Sequence, residues 1–479
     1  MYLKKLHISN FRCFRDYTIE FAPGVTVLFG KNGSGKSTLI HAIHKALSFL
    51  MYSEEVKDKA AKGKKAKVID IKTFRLSNPY PTVEGFSVFD CEYEGTKSID
   101  YEININANAV FGDVFPLEWD MTGVAPKMNL RKSGYRRKFL ELYEWVKNTT
   151  PTPQRPVLAY YSDGFPHNTI LNQSKNTEKT KRDYHLKSNF PELGYTDWNM
   201  EKGFTNVWLA RLNNKLNRLD SIPRENKVYK MYYETGKIEK DVYDKYVTKS
   251  AKELSDCKNE VEKITACLQK FSKDDSNLEV ASLELGIHNR TEVCIVTSNM
   301  DRHYFSVLPA GYKRMFYIAL DIAYRSLLLS NGTSTNIPGV VIIDEIDLHL
   351  HPELEKVVLQ RFMRTFTKAQ FIVSTHSPLV LTGVETENKP NIILRMTPEA
   401  IQPEVMHDMY GIDYNSGIED AMGVESRNGE LDSMVNLCAH MRKRGKTAQA
   451  ENIMERILRK FAKSRKEVKK MVEAKEMEL

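Results

Sequence analysis

Three groups of residues in this 479-residue chain have the types and spacing to do chemistry. The first is Gly30-Lys31-Asn32-Gly33-Ser34-Gly35-Lys36-Ser37-Thr38, which satisfies the pattern GxxxxGK[ST]. Its glycines permit positive φ, so backbone N–H groups can close around phosphate oxygens. Lys36 would bring a point charge to a polyphosphate, and the Ser37 hydroxyl can ligate Mg²⁺. The second group is Asp344-Glu345, which closes the apolar run Val340-Val341-Ile342-Ile343. Two acids at the carboxyl edge of a buried strand lie where α/β proteins bind ligands. There Asp344 would hold Mg²⁺ through water, and Glu345 would act as general base on an attacking water. The third is His376 in Ser374-Thr375-His376-Ser377-Pro378, directly after Phe371-Ile372-Val373. A histidine placed there predicts a sensor of the terminal phosphate. His349 and His351 alternate without a third histidine nearby, so they read as loop residues rather than metal ligands.

The elements that must position these groups are legible in the hydrophobic pattern. Leu3–Ile8 and Tyr17–Phe21 alternate as strands, and Val25–Phe29 is a continuous apolar run expected of a strand buried on both faces. The glycine loop follows, then an amphipathic helix from Leu39 to about Leu50, whose N-terminus would add partial positive charge at the loop. Glu54–Lys67 reads as a solvated helix end or loop. Strand-like segments return at Phe86–Tyr93, Ser98–Ile105 and Arg155–Tyr161. From Ser162 to Phe271 the chain turns polar and lysine-rich, with a helical hairpin expected from Asn226 to Phe271. Strands follow at Thr291–Thr297, Tyr304–Leu308, Val340–Ile343 and Phe371–Val373, and helices at Tyr312–Leu329 and Leu354–Phe366. The last seventy residues are helical and increasingly basic from Arg442 to Lys475. No internal repeat of 20–50 residues is present.

Apolar residues form 41% of the chain and charged residues 28%, the balance of a globular protein with a sizeable core. No run approaches the ~18 apolar residues of a membrane span, and the N-terminus lacks the pattern of a signal peptide. The expected location is cytoplasmic, without membrane association. Six scattered cysteines without a CxxC pair argue against a zinc module or a disulfide framework. A net charge of +8 permits nucleic-acid contact without demanding it.

Taken in order, the Leu6-His7-Ile8-Ser9-Asn10-Phe11-Arg12 opening, the glycine loop, the Asp344-Glu345 pair and His376 resemble the ABC-type ATPases of the SMC/RecF/OLD group. The resemblance implies an α/β P-loop ABC-type ATPase head, a mixed sheet with flanking helices, carrying a helical insertion and a helical C-terminal tail. It divides the chain into 1–161 (first part of the head), 162–285 (helical insertion), 286–400 (second part of the head) and 401–479 (a basic tail for partner binding or oligomerisation). It places Arg12, Gly30, Asn32, Gly33, Ser34, Gly35, Lys36, Ser37 and Thr38 on ATP, and Ser37 and Asp344 on Mg²⁺. Glu345 and His376 become the catalytic pair. Pro309-Ala310-Gly311 becomes the signature loop that closes the site of a second subunit. Pro309 stands where the group has a serine and Tyr312 where it has an acid, so slow or strictly gated hydrolysis is expected. No convincing glutamine serves the loop beside the metal; Gln154 and Gln173 lie nearest.

Long coiled-coil arms do not fit in the chain, and no TOPRIM-like acidic cluster follows His376. A narrower likeness remains. Leu193-Gly194-Tyr195-Thr196-Asp197-Trp198 with Phe204 and Trp208, Ala159-Tyr160-Tyr161, Ala310-Gly311-Tyr312, Tyr410 to Ser416 and Met422-Gly423-Val424 are similar to the PtuA-type ATPases of Septu and retron antiphage systems. Ser162-Asp163-Gly164-Phe165 departs from that family's glycine-threonine sequence. The resemblance implies a homodimer or higher homo-oligomer and an HNH nuclease (PtuB-like) regulated in trans. A retron reverse transcriptase with its msDNA is a further partner it suggests. Two other readings stay open: a RecF-like repair ATPase acting on DNA through Arg131–Lys138 or the basic tail, and a nucleotide-binding scaffold without turnover.

Overall fold

The computed structural model describes residues 1–56, 67–70, 83–87, 90, 102–124, 128–164, 191–196, 198, 205–287, 291–387, 389–397, 400–407, 409–412, 429–461 and 465–478. The chain divides into two compact units, Met1–Gly411 and Ile412–Leu479.

The first unit is built around two large sheets, with two smaller ones beside them. Strands β1 (Tyr2–Phe11) and β2 (Phe14–Glu20) form a hairpin, and β1 also pairs with β6 (Glu102–Phe111). Strands β7 (Phe115–Val124) and β8 (Asn129–Arg131) complete an antiparallel sheet in the order β2-β1-β6-β7-β8. The expected strand at Ser98–Ile105 is therefore β6, shifted toward the C-terminus because the alternation of buried residues continues to Phe111. Most of the Phe86–Tyr93 expectation lies outside the described residues. A small hairpin of β4 (Ser53–Val56) and β5 (Lys67–Asp70) replaces part of the solvated segment expected at Glu54–Lys67, since backbone pairing there outweighs a weak lysine-rich signal.

The second sheet is central. Its strands are β3 (Val25–Phe29), β9 (Val157–Tyr161), β13 (Gly339–Ile343), β14 (Ala369–Thr375), β15 (Asn391–Arg395) and β16 (Glu404–Met406), in the order β16-β15-β3-β14-β13-β9. All but β16 run parallel. Every residue of β3, β9, β13 and β14 is buried, which is why they read as largely apolar runs, broken in β14 by Gln370, Ser374 and Thr375. Gln370 fastens the two sheets. Its side chain accepts from Leu3 N–H and donates to Leu3 and Ala22 carbonyls, each at 2.8 Å.

Helix α1 (Lys36–Leu47) runs on into a 3-10 turn, Ser48–Met51. It thus begins three residues before the expected Leu39, because the loop's own Gly35 ends the turn. Trp119 of the antiparallel sheet donates to Ala46 O at 3.0 Å and stacks on Phe49. Helix α2 (Ser133–Asn148) contains most of the basic Arg131–Lys138 segment. The helical hairpin is longer than its apolar spacing suggested: α3 spans Thr205–Glu234 and α4 spans Lys240–Ser272. Tertiary packing carries α3 through Pro223.

Strands β10 (Val280–Ile287), β11 (Thr291–Thr297) and β12 (Arg302–Tyr304) form a third sheet. The strand expected at Tyr304–Leu308 is instead the end of β12 followed by a 3-10 turn, Phe305–Val307, whose buried Phe305 and Leu308 lie three apart rather than two. Helices α5 (Ala310–Leu329), α6 (Pro352–Thr365) and α7 (Pro378–Thr382) complete the unit.

The second unit comprises α8 (Gly429–Lys443), α9 (Thr447–Phe461) and α10 (Arg465–Glu478). Val435, Cys438, Ala450, Met454, Ile457, Val468 and Val472 form its own core. Among the described residues no helix is long and apolar enough to cross a membrane.

Candidate functional site

Strand register gathers the three groups at one edge of the central sheet. Thr375 pairs with Phe29 and Val373 with Ile343, so the chain leaves β3, β13 and β14 at neighbouring points. Gly30, Asp344 and His376 follow directly from those strand ends. Residues more than three hundred positions apart meet this way.

The glycine loop has the backbone its sequence requires. Gly30, Gly33 and Gly35 have φ of 155°, 80° and 91°. A Cβ on Gly30 would lie 2.5 Å from Met396 O, and one on Gly35 would lie 2.8 Å from the Phe14 ring. Asn32, Gly33 and Ser37 are exposed, Thr38 is half-buried and Ser34 is buried. Lys36 points back into the loop, donating to Gly30 O at 2.8 Å, Lys31 O at 3.1 Å and Ser34 Oγ at 3.4 Å. Burial pulls its pKa below the usual lysine range, against the opposing pull of Asp344, Glu345 and Asp347. A cation held in a glycine cradle, facing three carboxylates, is a donor set that fits a magnesium-bound polyphosphate. Lys36, the loop amides, Ser37 and Asp344 are the residues that would hold it.

The acidic turn is held by β14. Ser374 Oγ donates to Asp344 Oδ1 and accepts the Glu345 N–H at 2.8 Å, while Ile346 N–H reaches Ser374 O at 3.0 Å. Glu345 adopts φ 49°, uncommon for a non-glycine residue. Asp347 orders the segment carrying the histidine. Its Oδ1 accepts from Thr375 Oγ1 at 2.5 Å and from the His376 N–H at 3.3 Å.

Sequence reading missed Ser374, Asp347 and Arg314. The available signals were a hydroxyl at the end of an apolar strand, a third acid three residues past Asp344, and an arginine inside an apolar helix. His349 is exposed with φ 64°, and His351 caps α6 by accepting from Glu353 N–H at 3.4 Å. Among the described residues no group of three potential metal-ligating side chains occurs.

Other expected residues have structural partners. Arg12 is ion-paired with buried Asp90 at 3.0 Å, and its backbone N–H bonds Asp90 O at 2.9 Å. Lys45 joins the same carboxylate at 3.3 Å. Burial pushes the Asp90 pKa up, but the Ser87 amide and the two cations hold it below the usual carboxylate range. Gln154 lies ahead of β9 and donates to Leu329 O at 3.1 Å, the opposite end of that strand from the acidic turn. The segment beside that turn is Ser162-Asp163, since Asp344 N–H bonds Tyr161 O at 2.8 Å. Gln173 lies outside the described residues.

The loop expected to reach a second subunit opens α5. Pro309 and Ala310 are exposed, while Gly311 is buried. A Cβ on Gly311 would sit 2.5 Å from His349 O, so the glycine is required by contact within its own chain. Tyr312, in place of an acid, donates from its hydroxyl to Asp275 at 3.0 Å; Asp275 also accepts from Arg361 at 2.5 Å. Deeper in α5, fully buried Asp321 accepts from Tyr161 at 2.6 Å, Trp208 at 2.5 Å and Arg325 at 2.6 Å. Helix α5 is thereby tied to both β9 and α3.

A parallel sheet with a phosphate loop after one strand and an acidic pair after another defines a P-loop nucleotide-binding protein. Residues 1–381 match the AAA ATPase domain, and the chain belongs to that family. It is similar to the retron Vc95 probable ATPase of Vibrio cholerae serotype O1 biovar El Tor, 25% identical over 376 residues, which span 76% of this chain and 67% of that protein. The retron Ec83 probable ATPase of Escherichia coli is 25% identical over 421 residues, 80% of this chain and 70% of its own. The Septu protein PtuA of Bacillus thuringiensis is 28% identical over 154 residues, 29% of this chain and 37% of its own. The solved SMC head domain from Thermotoga maritima covers 85% of this chain and 98% of its own at 14% identity, with a TM-score of 0.36, an overlap too slight to bear on function.

Proposed function

We propose that this chain is the ATPase subunit of an antiphage defence system of the retron or Septu kind, hydrolysing ATP between two copies of itself. The carrying observation is the convergence of Lys36, Asp344, Glu345 and His376 at one sheet edge within a chain whose similarity to two retron ATPases extends over most of its length. In this reading the loop amides of Gly33–Gly35 and the Lys36 ammonium bind the phosphates. Ser37 and Asp344 would hold Mg²⁺, which supplies neutralising charge to the phosphate oxygens when bound. Glu345 takes the proton of the attacking water as the bond to the terminal phosphorus forms and the β–γ bridge breaks, releasing ADP and phosphate. His376 faces the terminal phosphate, and Arg12, released from Asp90, joins it.

The exposed Pro309-Ala310 end of α5 closes the partner subunit's site. Proline offers no hydroxyl there, which favours slow turnover. ATP occupancy then sets whether an associated HNH nuclease of the PtuB kind is restrained or released, in a cytoplasmic assembly that a retron reverse transcriptase and its msDNA could join. The test compares wild type with Glu345→Gln for ATP turnover and for mass in solution. Loss of turnover with an ATP-dependent dimer in the variant supports the proposal. Equal, near-zero turnover in both proteins would favour a scaffold instead. Salt-dependent DNA binding by the isolated chain would favour direct action on DNA.

A further inference from the structure

We propose that Arg314 is a positioning residue that carries the state of the α5 N-terminus to Glu345, so that a neighbour pressing on Pro309-Ala310 sets the geometry of the catalytic acid. Arg314 lies one helical turn beyond that exposed end and is itself buried. Its guanidinium donates to three backbone carbonyls on two separate segments: Asp344 O at 2.7 Å, Glu345 O at 3.3 Å and Asp163 O at 3.0 Å. One planar group thus grips both the acidic turn after β13 and the turn after β9.

The grip falls where the backbone is least free. Glu345 has a positive φ, its N–H is held by Ser374 and its C=O by Arg314, so both peptide groups around the catalytic carboxylate are fixed from outside the turn. A second contact makes the connection stiff. Gly311 packs against His349 O with no room for a methyl group, so α5 and the loop Asp344–Leu350 cannot slide independently. Displacement of α5 must therefore move Glu345. Arginine suits this role because its rigid fork reaches several acceptors at once, which a lysine ammonium on a flexible stem cannot do in the same geometry. The inference rests on the ATPase reading for its consequence, though not for the clamp itself.

The experiment uses the full chain as wild type, Arg314→Lys, Arg314→Met and Gly311→Ala. Hydrogen exchange without nucleotide is measured over peptides spanning 342–350 and the loop 30–38. The expected result is faster exchange in 342–350 for all three variants, with 30–38 unchanged. Affinity for a fluorescent ATP analogue should stay within about threefold while kcat falls about 100-fold, the scale at which a small misplacement of a catalytic group acts. Arg314→Lys should retain more turnover than Arg314→Met.

Unchanged exchange in 342–350 overturns the clamp. Unchanged kcat in a turning-over protein overturns the relay. Parallel loss of affinity, turnover and melting temperature across the variants shows a merely structural arginine and also overturns it. Should wild type not hydrolyse ATP, the ATPase reading has failed, and the exchange result still decides the clamp. If Arg314→Met does not fold, Arg314→Lys and Gly311→Ala carry the same decision.

Discussion

Replacing Lys36 by alanine measures how a phosphate competes with the loop for one ammonium. In the structure the three N–H donors of Lys36 are directed at Gly30 O, Lys31 O and Ser34 Oγ. A phosphate gains the lysine only as those neutral acceptors lose it. Hydrogen bonds in which donor or acceptor is ionised are roughly twice as strong as neutral ones and contribute about 1.5–3 kcal/mol each. The ammonium's present bonds are already of that kind and offset most of the new ones, so the net gain is on the order of one such bond, about 1.5–3 kcal/mol. Lys36→Ala should weaken ATP binding by about 10- to 150-fold, since about 1.4 kcal/mol is one power of ten. Binding should not vanish, because the amides of Gly33–Lys36 remain. The assay is calorimetric titration with ATP and Mg²⁺ at fixed salt. An affinity within threefold of wild type would sink the assignment of Lys36 to phosphate. A loss beyond about 10,000-fold would refute the competition argument, since it leaves nothing for the backbone to contribute. Stability should respond in the opposite direction. Burial disfavours the charged Lys36, so ligand-free Lys36→Met should melt no lower than wild type.

Two further outcomes follow from groups behind the loop, one buried and one half-buried. Tyr161→Phe removes one of three donors to buried Asp321 and should cost about 1.5–3 kcal/mol, whereas Asp321→Ala strips Arg325 of its counter-charge and should cost about 3–5 kcal/mol; chemical denaturation of the two variants returning equal, sub-kilocalorie effects would contradict this ordering. Burial, with help from Arg12, His44 and Lys45, holds the His41 pKa below its ordinary value of 6.5 despite the opposing pull of Asp344. The unfolded chain therefore binds this proton first as pH drops, and the cost to stability grows from about pH 6.5 downward through the folded-state value. Melting curves at pH 7 and pH 5 should diverge less in His41→Gln than in wild type, and equal divergence would remove His41 from the account.

The chain's local signals determined a good deal. The apolar runs Val25–Phe29 and Val340–Ile343 read as buried strands, and Gly30–Thr38 and Asp344-Glu345 stood out because phosphate and metal chemistry would constrain residue type at short spacing. The family likeness was equally readable from such short motifs. Other matters were decided by tertiary structure. Nothing in the sequence says that Thr375 lies beside Phe29, or that Val373 lies beside Ile343; parallel pairing is non-local, and register is settled by how whole strands pack. The hairpin's true length, running through Pro223 from Thr205 to Ser272, depended on helix against helix rather than on propensity. Gly311 read as part of a loop reaching a second subunit, and only the folded chain shows that His349 of the same chain also demands its missing Cβ. Arg314 was invisible for a related reason. An arginine in an apolar helix has no local signature of purpose, and the three carbonyls that hold its guanidinium come from turns about 30 and 150 residues away. Local chemistry is written in residue type; the choice of which buried groups must meet is made only when the chain closes on itself.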